Sequence, residues 1–181
     1  MKTSNRIIDK LSGLFGIMAG FLMLIGVMLT LTEVVMRSIF NSTIYITQEY
    51  SGYFMAAITF FGLAYTLKEK GHIRLTFMHR IIKPGKGRVI LDMYTFILGL
   101  LIFAVVTYAT FNFFLGSLKS GTQSLQITKT YLAIPQAVMP LGSLLITLQF
   151  LSEILKSIVR LQTGDFTELD EDQVEAEVLG R

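Results

Sequence analysis

The sequence predicts an all-α integral membrane protein: four transmembrane helices with both termini on the cytoplasmic side, and a short amphipathic interfacial helix in the cytoplasmic loop between helices 2 and 3. Three observations predict this. Apolar residues make up 52% of the 181 positions and mean hydropathy is +0.58, too apolar for an ordinary soluble domain. Four stretches carry no charge, 11–32, 50–67, 93–118 and 130–152, and each is long enough to cross ~30 Å of hydrocarbon as a helix rising 1.5 Å per residue. The basic residues gather in alternate connections between them, as they do in membrane proteins of fixed orientation.

Helix 1 is expected over about 11–40. Lys2, Arg6 and Lys10 ahead of it resemble the basic start of a signal peptide, but the apolar run is too long and no small-residue cleavage site follows, so an uncleaved first helix is expected. Apolar periodicity continues past Thr32 through Val34, Val35, Met36, Ile39 and Phe40 until Asn41-Ser42 turns the chain. Helix 2, about 47–68, has the shortest charge-free core, and Glu49 in its first turn suits the positive end of the helix dipole. An interfacial helix follows at about 72–83: Ile73, Leu75, Phe77, Met78, Ile81 and Ile82 share one broad face, Thr76, His79, Arg80 and Lys83 the other, with Arg74 snorkelling from the apolar side. Pro84-Gly85-Lys86-Gly87 ends it.

Helix 3, about 90–118, contains the longest charge-free run and must tilt or protrude. The polar, turn-rich stretch 121–130 leads to helix 4, about 133–157, with Pro135 in its first turn and Pro140 deeper, where it should distort the helix. Residues 1–163 thus form the membrane domain. Seven of the thirteen acids lie between Asp165 and Glu177, so 164–181 reads as an acidic, solvated cytoplasmic tail.

Orientation follows from Lys and Arg. Three precede helix 1, seven lie in the second loop (Lys68, Lys70, Arg74, Arg80, Lys83, Lys86, Arg88), and Lys156 and Arg160 flank the end of helix 4. The first loop has only Arg37 and the third only Lys119 and Lys129. The first and third loops are therefore expected outside.

The same inventory excludes several chemistries. The net charge of +3 is too unevenly split to argue for nucleic acid, and with no cysteine there is no disulfide, thiolate metal site or thiol nucleophile. The only histidines, His72 and His79, lie in the second loop, where they cannot serve as axial ligands of a membrane haem. No charge-free stretch holds a carboxylate for proton coupling or a base to pair with a serine. The expected bundle is chemically bare, with no catalytic, cofactor or metal residue.

Packing and anchoring signals remain. Gly16 and Gly20 form a GxxxG pattern, and Gly52 and Ala56 a second small pair, of the kind that lets helix backbones approach. Tyr45, Tyr50, Tyr53, Tyr65, Tyr94 and Tyr131 fall near helix ends, as an aromatic belt requires. Glu33 and Arg37 lie four apart on one face of helix 1, and Arg37 is placed to reach Glu49 across the turn as well. The alternatives are an interface-level ion pair of modest worth and a polar anchor for a partner chain. His72 reads as a solvated or phosphate-contacting loop residue.

With these residues placed, the chain resembles the small membrane subunit of tripartite ATP-independent periplasmic (TRAP) transporters, the DctQ-like family, over roughly residues 10–160. The match runs through Glu33-x-x-x-Arg37, the Asn41-Ser42 turn, Glu49, a small-residue-rich helix with Gly62, then Lys68-Glu69 and His72-Ile73. Gly121-Thr122-Gln123-Ser124-Leu125 through Ile134-Pro135 and Pro140-Leu141-Gly142 resembles the second family signature. Ile46-Thr47-Gln48-Glu49 departs from the usual Trp-Ser-Glu-Glu, removing an aromatic anchor and one outer negative charge, and Thr76 stands where an Asp often follows the histidine. The resemblance implies a multi-pass subunit of the bacterial inner membrane, with two partners. A periplasmic binding protein captures an organic acid such as sialic acid or a C4-dicarboxylate, and a large membrane subunit, where sodium is expected, moves it. This chain would enlarge the fixed scaffold and contact membrane lipid. The alternative reading is a stand-alone four-helix membrane transporter or exporter, which needs a polar pathway through Gln136 or Thr147.

Overall fold

A backbone in hydrocarbon has to satisfy its own hydrogen bonds, and this chain does so with helices. The structure, a computed structural model, describes residues 2–69 and 86–163, and side chains over 7–69 and 87–163. The helices are α1 (Lys2–Phe40), α2 (Tyr45–Lys68), α3 (Lys86–Ser120), the short α4 (Ala133–Gln136) and α5 (Val138–Thr163). Among the described residues there is no strand, only an isolated antiparallel bridge between Gln123 and Tyr131. The interfacial helix expected at 72–83 and the tail at 164–181 lie outside the described residues.

Among the described residues, three stretches are long and apolar enough to cross a membrane: Ile7–Phe40, Gly87–Ser120 and Ala133–Thr163. The sequence predicts four, and α2 is the one missing. Its 24 residues extend about 36 Å, so length is sufficient. Tyr45, Tyr50, Tyr53, Tyr65, Thr47, Thr59, Thr66 and Ser51 dilute its apolarity.

Helices outrun the charge-free windows because those windows mark hydrocarbon, whereas Lys and Arg flanks continue a helix readily. Thus α1 starts at Lys2 instead of near 11, and α5 reaches Thr163 instead of about 157. Asn41, at φ 50°, stops α1 in the left-handed region that asparagine tolerates. Gly121, at φ 60°, stops α3, and the Thr122 N–H returns to the Ser117 carbonyl at 3.3 Å, closing the C-terminus in Schellman fashion. Pro140 offers no N–H to the Gln136 carbonyl four residues back, and the helix is interrupted at Ala137, between α4 and α5.

The helices pack in the order α1, α2, α5, α3, with α1 also touching α5. α1 and α2 are antiparallel, as are α3 and α5, whereas the central pair α2 and α5 runs parallel, with Phe60 against Gly142 and both helices ending beside the start of α1. The core, Ala64, Leu67, Leu145, Ile146 and Phe150, lies between α2 and α5, flanked by Phe15, Leu63, Phe96, Leu100 and Phe103. At Gly142 the two central backbones meet: a Cβ there would lie 2.5 Å from the Phe60 carbonyl oxygen. The edge helices α1 and α3 are 6% buried over their most apolar windows, against 50% for α5. Most of their apolar side chains face outwards.

Candidate functional site

Polar side chains collect at three levels of the bundle. At the end carrying the 41–44 and 121–132 connections, the Glu33 carboxylate is buried and used twice. It accepts from the Arg37 guanidinium at 3.0 Å and from the Ile44 N–H at 2.7 Å. Ile44 immediately precedes α2 and has no side-chain cap of its own, so a carboxylate from α1 supplies the anion that the start of α2 calls for. Arg37 itself is 68% exposed.

Glu49 has other partners. Its carboxylate accepts from the Tyr53 hydroxyl at 2.6 Å and from the Thr128 hydroxyl, which in turn accepts from Thr130 at 3.2 Å. The expected bridge from Arg37 to Glu49 is therefore absent: Glu49 faces the 121–132 connection. That connection is hairpin-like, with the Ser124 N–H on the Thr130 carbonyl at 2.9 Å and the Leu132 N–H on the Thr122 carbonyl at 3.1 Å. It folds over α2 with Ser124, Thr128 and Thr130 partly buried and Leu125 and Ile127 exposed.

At mid-height, hydroxyls pair across α3 and α5. Thr107 and Thr147 lie 3.0 Å apart, and Thr110 and Ser143 3.1 Å. Thr147 also donates to the Ser143 carbonyl at 2.8 Å. Such pairs join membrane helices where apolar contact alone does not distinguish helix from lipid. Gln136 is partly buried above them, in α4 beside Pro135.

The opposite end holds a network that sequence reasoning missed. Ser12 donates to the Gln149 Oε1 at 3.0 Å, and the Gln149 amide donates to Asp9 at 3.0 Å and to Glu153 at 3.5 Å. Lys156 closes it with contacts of 2.7 Å to Glu153 and 3.4 Å to Asp9. Gln149 and Glu153 are buried. The bundle is thus not uniformly bare: Asp9 and Glu153 fall just outside the charge-free windows, and Lys156 contributes as a partner as well as a flanking charge. One signal was available. Gln149, Glu153 and Lys156 stand at i, i+4 and i+7, one stripe of a helix.

The glycines divide. A Cβ on Gly16 would lie 2.4 Å from the Tyr65 ring and one on Gly99 2.5 Å from Phe150, whereas Gly20 and Gly52 meet nothing within 4 Å. Half of each expected small-residue pair therefore has no close neighbour in this chain, and Ala56 is partly buried. His72 and Arg74 lie outside the described residues. Among the described residues no cluster of three or more His, Asp or Glu is placed to hold a metal ion.

Comparison with known families shows that the model described as Tripartite ATP-independent periplasmic transporters, DctQ component, matches residues 26–160, well over half of the chain. No curated protein matches it. The matched range contains Glu33, Arg37, Glu49, the 121–132 connection and the hydroxyl pairs, and excludes Asp9 and Ser12.

Proposed function

The chain belongs to the DctQ component family of tripartite ATP-independent periplasmic transporters, and from that premise we propose that it is the fixed scaffold subunit of a sodium-coupled importer. In this reading it stands in the bacterial inner membrane beside a large membrane subunit. That subunit binds sodium and moves an organic acid, such as sialic acid or a C4-dicarboxylate, delivered by a periplasmic binding protein. The chain catalyses nothing. Both termini lie in the cytoplasm and α2 is the fourth span. The Asp9–Lys156 contact supports four crossings, because it ties the start of α1 to the end of α5, and ends on one side require an even number.

The observation that carries the scaffold reading is what the mid-height polar groups do. Thr107, Thr110, Ser143 and Thr147 bond to one another across α3 and α5. They serve packing, where a substrate path needs polar groups turned to a cavity. Of the two residues named for a stand-alone exporter's pathway, Gln136 and Thr147, the latter is committed in this way.

The test is co-purification followed by reconstitution. The tagged chain should recover a large multi-span subunit from membranes. In liposomes, uptake should require that subunit, the binding protein and a sodium gradient. Robust uptake by this chain alone would overturn the proposal.

A further inference from the structure

Between residues 9–17 of α1 and the last turn of α2 runs an open furrow of about 510 Å³, lined by Asp9, Lys10, Gly13, Leu14, Ile17 and Lys68. Lys10, Leu14 and Ile17 stand at i, i+4 and i+7, so they form one stripe of α1 with a cation at its mouth and apolar side chains one and two turns deeper. Gly13 opens the wall: a Cβ there would sit 3.7 Å from the Lys68 ammonium, which therefore lies close against α1. Lys68 also sits 5.5 Å from the Tyr65 ring centroid and 2.9 Å from Glu69, itself half exposed. The acid in the furrow is already engaged, since Asp9 accepts from Gln149 and pairs with Lys156. Lys10 is exposed, with no ion pair among the described residues.

Leu14 and Ile17 are 54% and 72% exposed, so the deep part of the furrow opens on the surface that α1 turns to lipid. Cations at headgroup level above an apolar trough match one kind of ligand. We propose that this furrow binds an anionic phospholipid, its phosphate between Lys10 and Lys68 and its first acyl methylenes along Leu14 and Ile17. The inference rests on α1 crossing the membrane and not on the transporter assignment, so the two fail separately.

Native mass spectrometry of the full chain in detergent, titrated with palmitoyl-oleoyl phosphatidylglycerol, phosphatidylcholine or inorganic phosphate, tests it. Phosphatidylglycerol should bind at least about tenfold more tightly than phosphatidylcholine, and Lys10→Gln and Lys68→Gln should each weaken it about fivefold. Gly13→Leu, which keeps both charges but fills the furrow, should weaken it too. Lys119→Gln with Lys129→Gln, at the other end, should leave it unchanged. Lys10 is exposed, so its variant keeps the fold and reads out even where Lys68→Gln does not. Equal affinity for the two lipids, or unchanged affinity in the Lys10→Gln/Lys68→Gln variant, would overturn the proposal. Inorganic phosphate binding as tightly as phosphatidylglycerol would do the same, since the acyl contacts would then add nothing.

Discussion

Glu33 and Arg37 share an ion pair but not a burden. The Glu33 side chain is 11% exposed and also holds the Ile44 N–H, while the Arg37 side chain is 68% exposed and, among the described residues, pairs with Glu33 alone. Losing a cap costs about 1–2 kcal/mol, whereas an exposed ion pair is worth ~0–1 kcal/mol. Thermal unfolding of the purified chain in detergent should show a clear loss for Glu33→Ala and little for Arg37→Ala, with Glu33→Gln between them. Equal losses would mean that the pair matters and the cap does not. Glu49 acts on a different element. Its carboxylate receives Tyr53 and Thr128, so Glu49→Ala should release the 121–132 connection and raise amide exchange there, while Glu49→Gln keeps an acceptor and loosens it less. Unchanged exchange would show that the connection is held by its own backbone bonds. The Glu33–Arg37 pair was legible because a spacing of four on a helix is visible in any sequence. Thr128 was not, because it lies 79 residues from Glu49 and a loop threonine carries no pattern that names its partner.

At the scale of the element, what the sequence displays is the existence of helices and what it conceals is their neighbours. Charge-free runs locate α1, α3 and α5, and Pro140 foretells the interruption at Ala137. Apolar patterning does not show which face of a span turns inwards, since lipid tails are as apolar as a protein core. That is why Gly16 and Gly20 look equivalent as letters although only Gly16 is roofed by Tyr65. The glycines that bring backbones or rings together are read from the fold. At Gly142 the obstructing atoms belong to the Phe60 backbone carbonyl and cannot rotate away. Gly142→Ala should therefore separate α2 from α5 at an overpacking cost of ~1–3 kcal/mol. Gly20→Ala and Gly52→Ala should leave the unfolding temperature of the isolated chain nearly unchanged. If Gly20→Ala instead lowers recovery of a co-purified large subunit while the chain itself stays stable, that face of α1 meets a partner.

For the whole molecule, the order α1, α2, α5, α3 leaves two apolar edge helices and makes the number of crossings the decisive question. Hydropathy favours three, because α2 is diluted by tyrosine, threonine and serine. The tie between Asp9 and Lys156 favours four, since three crossings would put the start of α1 and the end of α5 on opposite faces of the membrane. Burial weighs on the side of the proposed fourth crossing: α2 lies between α1 and α5, with Ala57, Phe61, Ala64 and Leu67 packed inside, and a span whose surface is partly shielded by neighbouring helices needs less apolarity than an isolated one. The natural chain has no cysteine, so single cysteines report cleanly. Ser42→Cys and Thr122→Cys should react with an impermeant maleimide on intact cells, whereas Gly87→Cys and Thr163→Cys should react only after permeabilisation. Thr163 separates the two counts: four crossings leave it inside, three put it outside. Labelling at Thr163 from outside, with Ser42 also outside, would remove α2 from the membrane. It would also require the Asp9–Lys156 contact to break, which Asp9→Asn would then leave without consequence for stability.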